Sequence, residues 1–232
     1  MSDNLKLIDF DQNVFDDGYN FVCGIDEVGR GTLAGPVVAS TFLIDKYAFD
    51  KIIRSPIAGI VDDSKKVSKS NREKIYNFVQ SFIEENSGHC IYKNSTVEAE
   101  VIDDINILQA SLLAMKQSLQ SCTDNIKYNK LKCLVDGNKM WDDNVGIDFD
   151  TVIKGDQNSF LIAIASIIAK VSRDKIMVDL HEQYPQFDWN KNKGYGTKNH
   201  MEVIKKMGFS RYHRKSFQPI KDLIKKIEIK SL

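Results

Sequence analysis

Two carboxylates followed at once by a glycine-rich bend make Gly24–Pro36, GIDEVGRGTLAGP, the stretch of this sequence best equipped for chemistry. Asp26 and Glu27 close an apolar run that holds Phe21, Val22 and Ile25. Burying two acids beside such side chains is costly unless cations or hydrogen bonds compensate them. Acidic residues also end strands simply by capping turns, but that role leaves Gly29-Arg30-Gly31 unexplained. Glycine lets the backbone approach a ligand closely and bind phosphate or hydroxyl oxygens through its N–H groups, and Arg30 adds a permanent charge.

Two further acidic positions stand in comparable settings. Asp136 closes the apolar run Leu131–Val135 and precedes Gly137-Asn138. In α/β sheets ligands collect beyond the carboxyl ends of strands, so Asp26 and Asp136 converge if their strands are neighbours. Asp156, in Lys154-Gly155-Asp156, sits just ahead of a helix, where the ordinary role of an Asp is to cap. Acidic segments with no matching His or Cys cluster favour hard oxygen ligation, hence Mg²⁺ or Mn²⁺ rather than zinc. Two such ions can clamp the attacking and leaving oxygens of a phosphodiester. Asp26 and Glu27 are adjacent, and adjacent strand residues face opposite ways. Both serve one site only if the strand bends or ends there, as Gly29 would allow.

The elements that must position these residues alternate between strand and helix patterns, which points to α/β architecture. Strands are expected at Asn20–Asp26, Pro36–Leu43, His89–Lys93, Leu131–Val135 and Thr151–Ile153. Ser70-Asn71-Arg72-Glu73 has the form of a capping box, opening a helix to about Asn86 with Ile75, Phe78, Val79, Phe82 and Ile83 on one face. A second candidate box, Ser95-Thr96-Val97-Glu98, precedes a helical pattern running through Val101, Ile105, Leu108, Leu112, Met115 and Leu119. Ser159–Leu180, apolar first and charged later, reads as a helix entering the core. Glu202–Met207 is a short helix stopped by Gly208, and Ile220–Ile229 a last amphipathic run. No repeat or long linker divides the chain. One domain is expected over residues 1–232, with a core at about 20–184 and a basic helical segment at about 185–232.

The net charge is zero, but it is unevenly spread. From Pro185 onward there are 12 Lys/Arg and 4 Asp/Glu, a local balance of +8; the rest carries −8. An acidic body with a basic end suits a protein that holds cations in one place and phosphates in another, although solvated surface charge produces the same imbalance. Cys23, Cys90, Cys122 and Cys133 form no C-x-x-C pair and read as free buried thiols. No secretion signal and no apolar run approaching the ~18 residues of a membrane span is seen. A soluble, cytoplasmic protein without a membrane partner, most simply a monomer, is expected.

The quoted segments resemble ribonuclease HII, a type 2 ribonuclease H. GIDEVGRGTLAGPVVAS is similar to that family's opening signature. Asp62-Asp63-Ser64-Lys65-Lys66, Asn106-Ile107-Leu108-Gln109-Ala110, Val135-Asp136-Gly137 and Lys154-Gly155-Asp156 match later blocks in order. The run Ala165–Asp174, Lys193-Gly194-Tyr195-Gly196-Thr197 and His213–Phe217 follow, so the likeness spans about Phe21 to Pro219. It implies a ribonuclease H-like fold, a mixed sheet flanked by helices with a C-terminal helical segment. It implies a catalytic, metal-holding set of Asp26, Glu27, Asp136 and Asp156 with two divalent ions. Gly29, Arg30, Gly31 and Tyr195 would read the 2′-hydroxyl at an RNA–DNA junction, with Lys65 and Lys66 on the phosphate backbone. Two departures are Thr32, where many relatives have Pro, and Val28, where many have Ala.

The activity so implied is cleavage 5′ of ribonucleotides in RNA/DNA hybrids and of single ribonucleotides in duplex DNA, leaving 3′-OH and 5′-phosphate ends. A general hybrid nuclease of the ribonuclease HIII kind is the nearest rival; that family's extra N-terminal domain finds no counterpart in the roughly 20 residues before this core. A catalytically silent nucleic-acid-binding module would not need the intact acidic set. A small-molecule phosphatase would not need the basic segment. Arg173 and Asp174 read as structural, and His200 and His213 as structural or phosphate-contacting rather than as general bases.

Overall fold

The computed structural model describes residues 3–141 and 147–230. In chain order they form α1 (Asp3–Asp16), β1 (Phe21–Val28), β2 (Val37–Asp45), α2 (Lys46–Ile52), α3 (Lys69–Glu85), β3 (Cys90–Val97), α4 (Ala99–Thr123), β4 (Leu131–Asp136) and β5 (Asp148–Val152). After a 3-10 turn at Gly155–Gln157 come α5 (Phe160–Gln183), α6 (Trp189–Asn192), α7 (Lys198–Met207) and α8 (Ile220–Lys230). The strands make one mixed sheet in the order β3-β2-β1-β4-β5. β1–β2 and β2–β3 are antiparallel, whereas β4 lies parallel to β1 and β5 parallel to β4.

Strand alternation divides the core between two faces. Val22, Phe42, Ile44 and Leu134 pack on the side of α5, joined there by α1, α2 and α3. Cys23, Ile25, Val37, Ala39, Leu43 and Val135 pack against α4 on the other. The first half of α5, Phe160–Ala169, is almost wholly buried, as its apolar sequence requires. α5 crosses β1 at Gly24, where a Cβ would lie 2.2 Å from the carbonyl carbon of Leu161; no larger residue permits that approach. A third cluster, Ala34, Met177, Leu180, Phe187, Trp189 and Ile204, fastens the segment after Pro185 to the far end of α5.

Several local readings shift. Ser68, not Ser70, caps α3, accepting from the Asn71 N–H at 3.2 Å, and Ser70 lies inside the first turn. Ser95 is no cap: pairing with β2 carries β3 as far as Val97, and the Ser95 hydroxyl donates to Gln117 Oε1 at 2.6 Å. α4 is broken at Asn106, whose φ is +68° and whose side chain accepts from the Leu108 and Gln109 N–H groups, capping the second stretch from within. α7 starts at Lys198 behind a Thr197 cap, four residues earlier than its apolar pattern suggests. α1 was not legible at all. Its Leu7 and Phe15 enter the core, and fully buried Asp11 accepts the Leu161 N–H at 2.8 Å, so this helix closes the open end of α5.

Candidate active site

β1 pairs with β4 only as far as Ile25 and Val135, and the acids stand just beyond that last pair. By alternation Asp26 and Asp136 share the α5 face while Glu27 belongs to the other. β1 continues one residue past Glu27 against β2 and ends at Val28, where Gly29 takes a positive φ. With β4 ended at Asp136, no residue of that strand stands opposite Glu27. Carboxylate oxygens of Asp26, Glu27 and Asp136 lie within 4.8 Å of one another.

This crowding leaves an electrostatic mark. Burial, then the neighbouring Glu27 and Asp136, hold the Asp26 carboxyl well above its ordinary range. Burial raises Glu27 as well, opposed by Arg30, whose guanidinium sits 3.0 Å from it. The Glu27 N–H donates to Asp26 Oδ1 at 2.7 Å, and the Gly155 N–H donates to Asp136 Oδ1. Glu27 Oε2 is buried with no hydrogen-bond partner. Three hard oxygen donors, one of them orphaned, fit a divalent cation.

Asp156 stands beside this trio, outside its closest grouping. It is not a helix cap, since Ser159 caps α5 through the Ile162 N–H at 3.1 Å. Its turn is drawn against β4 by Gly155, where a Cβ would lie 3.0 Å from Asp136 Oδ1 and 2.6 Å from Ile162. Burial, then nearby Asp63, raises Asp156 to about 6, against the pull of Lys65, whose Nζ is 3.8 Å away.

The four acids line one cleft of about 660 Å³ that also holds Arg30, Lys65 and Tyr195. Gly29, with φ +98°, forms the turn behind it, and a Cβ on Gly31 would meet nothing within 4 Å. Lys66 is turned toward Asp62 at 3.7 Å and does not line the cleft. Arg72, Lys154, Lys170, Ser64, Gln157 and Ser166 also line it, and the sequence reading gave them no role. The Ser166 hydroxyl lies against Asp26 and 2.9 Å from Ser64 Oγ. Ser64 and Ser166 sit in quoted blocks, so adjacency to Lys65 and the helical register with Lys170 were the available signals. Of the residues after Pro185, Tyr195 alone reaches this cleft among the described residues.

His200, His213 and Asp174 are each held by partners within the protein. His200 Nδ1 donates to the Tyr195 carbonyl at 2.8 Å, and its Nε2 accepts from Trp189. That leaves His213 Nε2 as donor to His200 and His213 Nδ1 as acceptor from the Ser210 N–H, a neutral pair. Burial, then His200, pushes His213 down to about 3. Asp174 pairs with Lys170 at 2.6 Å rather than with Arg173. All four cysteines are buried and free, Cys23 and Cys133 with sulfurs 3.0 Å apart on adjacent strands. No helix among the described residues is long and apolar enough to cross a membrane.

The family model described as Ribonuclease HII matches residues 23–220. A curated Ribonuclease HII of Caldicellulosiruptor bescii is 39% identical over 217 residues, 94% of this chain and 96% of that one. Among solved structures, the ribonuclease H2 of Pyrococcus horikoshii superposes with a TM-score of 0.69 at 24% identity, covering 90% of this chain and 99% of that chain. Bst-RNase HIII in complex with Mn²⁺ gives 0.69 at 16% identity, covering 98% and 73%. These likenesses in structure establish a ribonuclease H-like fold.

Proposed function

The chain belongs to the ribonuclease HII family and is a ribonuclease H endonuclease, and on that premise we propose that Asp26, Glu27, Asp136 and Asp156 are its catalytic, metal-holding set. The observation that carries this is the convergence of three carboxylates within 4.8 Å at the mouth of a cleft rich in cations. Asp26, Glu27 and Asp136 would hold the first divalent ion, with Asp156 completing the set from its own turn. The donor set suits Mg²⁺ or Mn²⁺, and the Mn²⁺ complex of Bst-RNase HIII is in keeping with that. Bound there, such ions supply charge neutralisation at the scissile phosphate and a more acidic water for in-line attack.

The protein's own groups do the positioning. Arg30 holds the Glu27 carboxylate at 3.0 Å, and Ser166 and the Glu27 N–H hold that of Asp26. The Gly155 N–H does the same for Asp136. Gly29, Arg30 and Gly31 would read the 2′-hydroxyl of the ribonucleotide, and the half-exposed Tyr195 ring would pack on its sugar. Lys65, Arg72, Lys154 and Lys170 would grip the phosphates nearest the cut, with the basic segment after Pro185 meeting the duplex further out. The substrate is then an RNA/DNA hybrid or a DNA duplex bearing single ribonucleotides, cut on the 5′ side of the ribonucleotide to leave 3′-OH and 5′-phosphate ends.

Two substrates test this, a DNA duplex with one ribonucleotide and a continuous RNA/DNA hybrid, each with Mg²⁺ or Mn²⁺. Cleavage of both, with the cut 5′ of the lone ribonucleotide, is expected. Cutting of the hybrid alone would make this a general hybrid nuclease and remove the proposed reader.

A further inference from the structure

The loop from Gly29 to Pro36 belongs to no helix or strand, yet two arginines hold it from behind. Arg173 is 1% exposed and Arg214 fully buried. Neither forms a salt bridge among the described residues. Two buried guanidinium groups without carboxylates are expensive to desolvate unless their hydrogen bonds are nearly all made. Here they are made to the loop. Arg173 donates to Pro36 O at 2.8 Å, Ala34 O at 3.0 Å and Thr32 Oγ1 at 2.9 Å. Arg214 donates to Arg30 O at 2.9 Å and twice to Gly35 O, at 2.9 and 3.1 Å. Thr32 relays the hold by donating its hydroxyl to Gly29 O at 3.0 Å.

The planar trans peptide turns this into a statement about the front of the loop. A C=O and the N–H of the following residue point in opposite directions. With the carbonyls of Gly29 and Arg30 drawn back to Thr32 and Arg214, the N–H groups of Arg30 and Gly31 face away from the arginines. Gly31, open to a Cβ without contact, stands on that free side. Arg173 has a fourth bond, to Lys193 O at 2.9 Å, and Gly194 O accepts from the Leu33 and Ala34 N–H groups. The same guanidinium therefore spans the loop and the turn that carries Tyr195. Gly29 is what admits it: a Cβ there would lie 2.2 Å from Arg173 Nε.

We propose that Arg173 and Arg214 are positioning residues for ribonucleotide recognition, fixing which way the Arg30 and Gly31 amides face and how far they stand from Tyr195. This rests on the reading that Gly29, Arg30, Gly31 and Tyr195 contact the ribonucleotide. A continuous hybrid offers many 2′-hydroxyls to the cleft, whereas a duplex with one ribonucleotide offers a single one. Loosening the loop therefore penalises the second substrate more.

The test compares kcat and KM on both substrates for Arg173→Lys and Arg214→Lys, whose compact ammonium cannot reach the same set of acceptors. A loss of kcat/KM on the order of tenfold greater for the single ribonucleotide than for the hybrid is expected, with the Mn²⁺-induced shift in melting temperature unchanged. An unchanged substrate ratio in folded variants overturns the proposal. Should the arginine variants not fold, Thr32→Val and Thr32→Ser decide: the ratio must fall in the first and recover in the second, and equal ratios refute the clamp. Tyr195→Ala in the same assay separates the two layers. If it leaves the ratio unchanged, the reader assignment falls and the proposal with it; if it alters the ratio and the arginines do not, only the clamp falls.

Discussion

Replacing Asp136 by Asn should make the metal-free protein more stable while abolishing cleavage. Two ionised carboxylates 4.8 Å apart repel by about 3 kcal/mol at an effective dielectric of ~20, and Asp136 faces two such neighbours. The full sum is not reached, because Arg30 offsets Glu27 and because burial already shifts Asp26 and Glu27 toward their neutral forms. A net gain of about 2 kcal/mol is a fair expectation at pH 8, which for a chain of this size lifts the melting temperature by about 4–8 °C. Asn keeps an oxygen to accept the Gly155 N–H, so the local fold persists. The gain should be smaller at pH 5 than at pH 8, because the raised Asp26 and Glu27 carboxyls take up protons at a higher pH than ordinary carboxylates and so relieve the repulsion. Mg²⁺ or Mn²⁺ should stabilise the wild type and not the variant, reversing their order. Calorimetric melts at both pH values, with and without metal, measure all of this. A variant no more stable than wild type at pH 8, or one that cuts at the normal rate, refutes the crowded-carboxylate account.

Three other predictions follow from separate parts of the molecule. Gly24→Ala would drive a Cβ into the α5 backbone and should cost at least ~3 kcal/mol, seen as a collapse of the melting temperature or of soluble yield. Asp11 is raised to about 7 by burial, so between pH 4 and 7 the folded state keeps a proton that the unfolded chain releases, and stability falls as pH rises. That amounts to about 4 kcal/mol over three pH units, and urea unfolding of Asp11→Asn should show a correspondingly flatter pH dependence. Lys65→Ala, placed in the inactive Asp136→Asn background, should weaken duplex binding and reduce the slope of log Kd against log salt by about 1; an unchanged slope would remove Lys65 from the phosphate contacts.

What could be read without coordinates follows the range of the forces involved. β1 and β4 announce themselves because each is a short apolar run closed by an acid, and a parallel neighbour is enough to bring Asp26 and Asp136 together. Asp156 was ambiguous because a cap and a ligand look alike in sequence; Ser159 occupying the cap position removes the first role. The two capping boxes misled because Ser70 and Ser95 have the right local spacing, while the real helix starts are set by Ser68 and by how far β3 pairs with β2. α1 escaped because its Asp- and Asn-rich surface hides an apolar stripe and because Asp11 serves a helix 150 residues away. The cations of the cleft were misjudged for the same reason. The basic C-terminal stretch is conspicuous in sequence, but Arg72, Lys154 and Lys170 are collected from three separate segments by the fold.

That 150-residue reach also has a consequence for how the chain comes to be folded. β1 is paired by β4 only once residues 131–136 are made and is covered by α5 at Gly24, with Asp11 shutting off the start of α5, only after residue 160 or so has followed. Contacts of such sequence separation are slow to close, since loop entropy must be lost before they contribute. At the usual pace of synthesis the apolar residues around Asp26 and Glu27 wait roughly ten seconds for their cover. The strand that carries half of the acidic cluster is thus among the first parts of the core to be made and among the last to be enclosed. In that interval aggregation competes directly with the assembly of the active site.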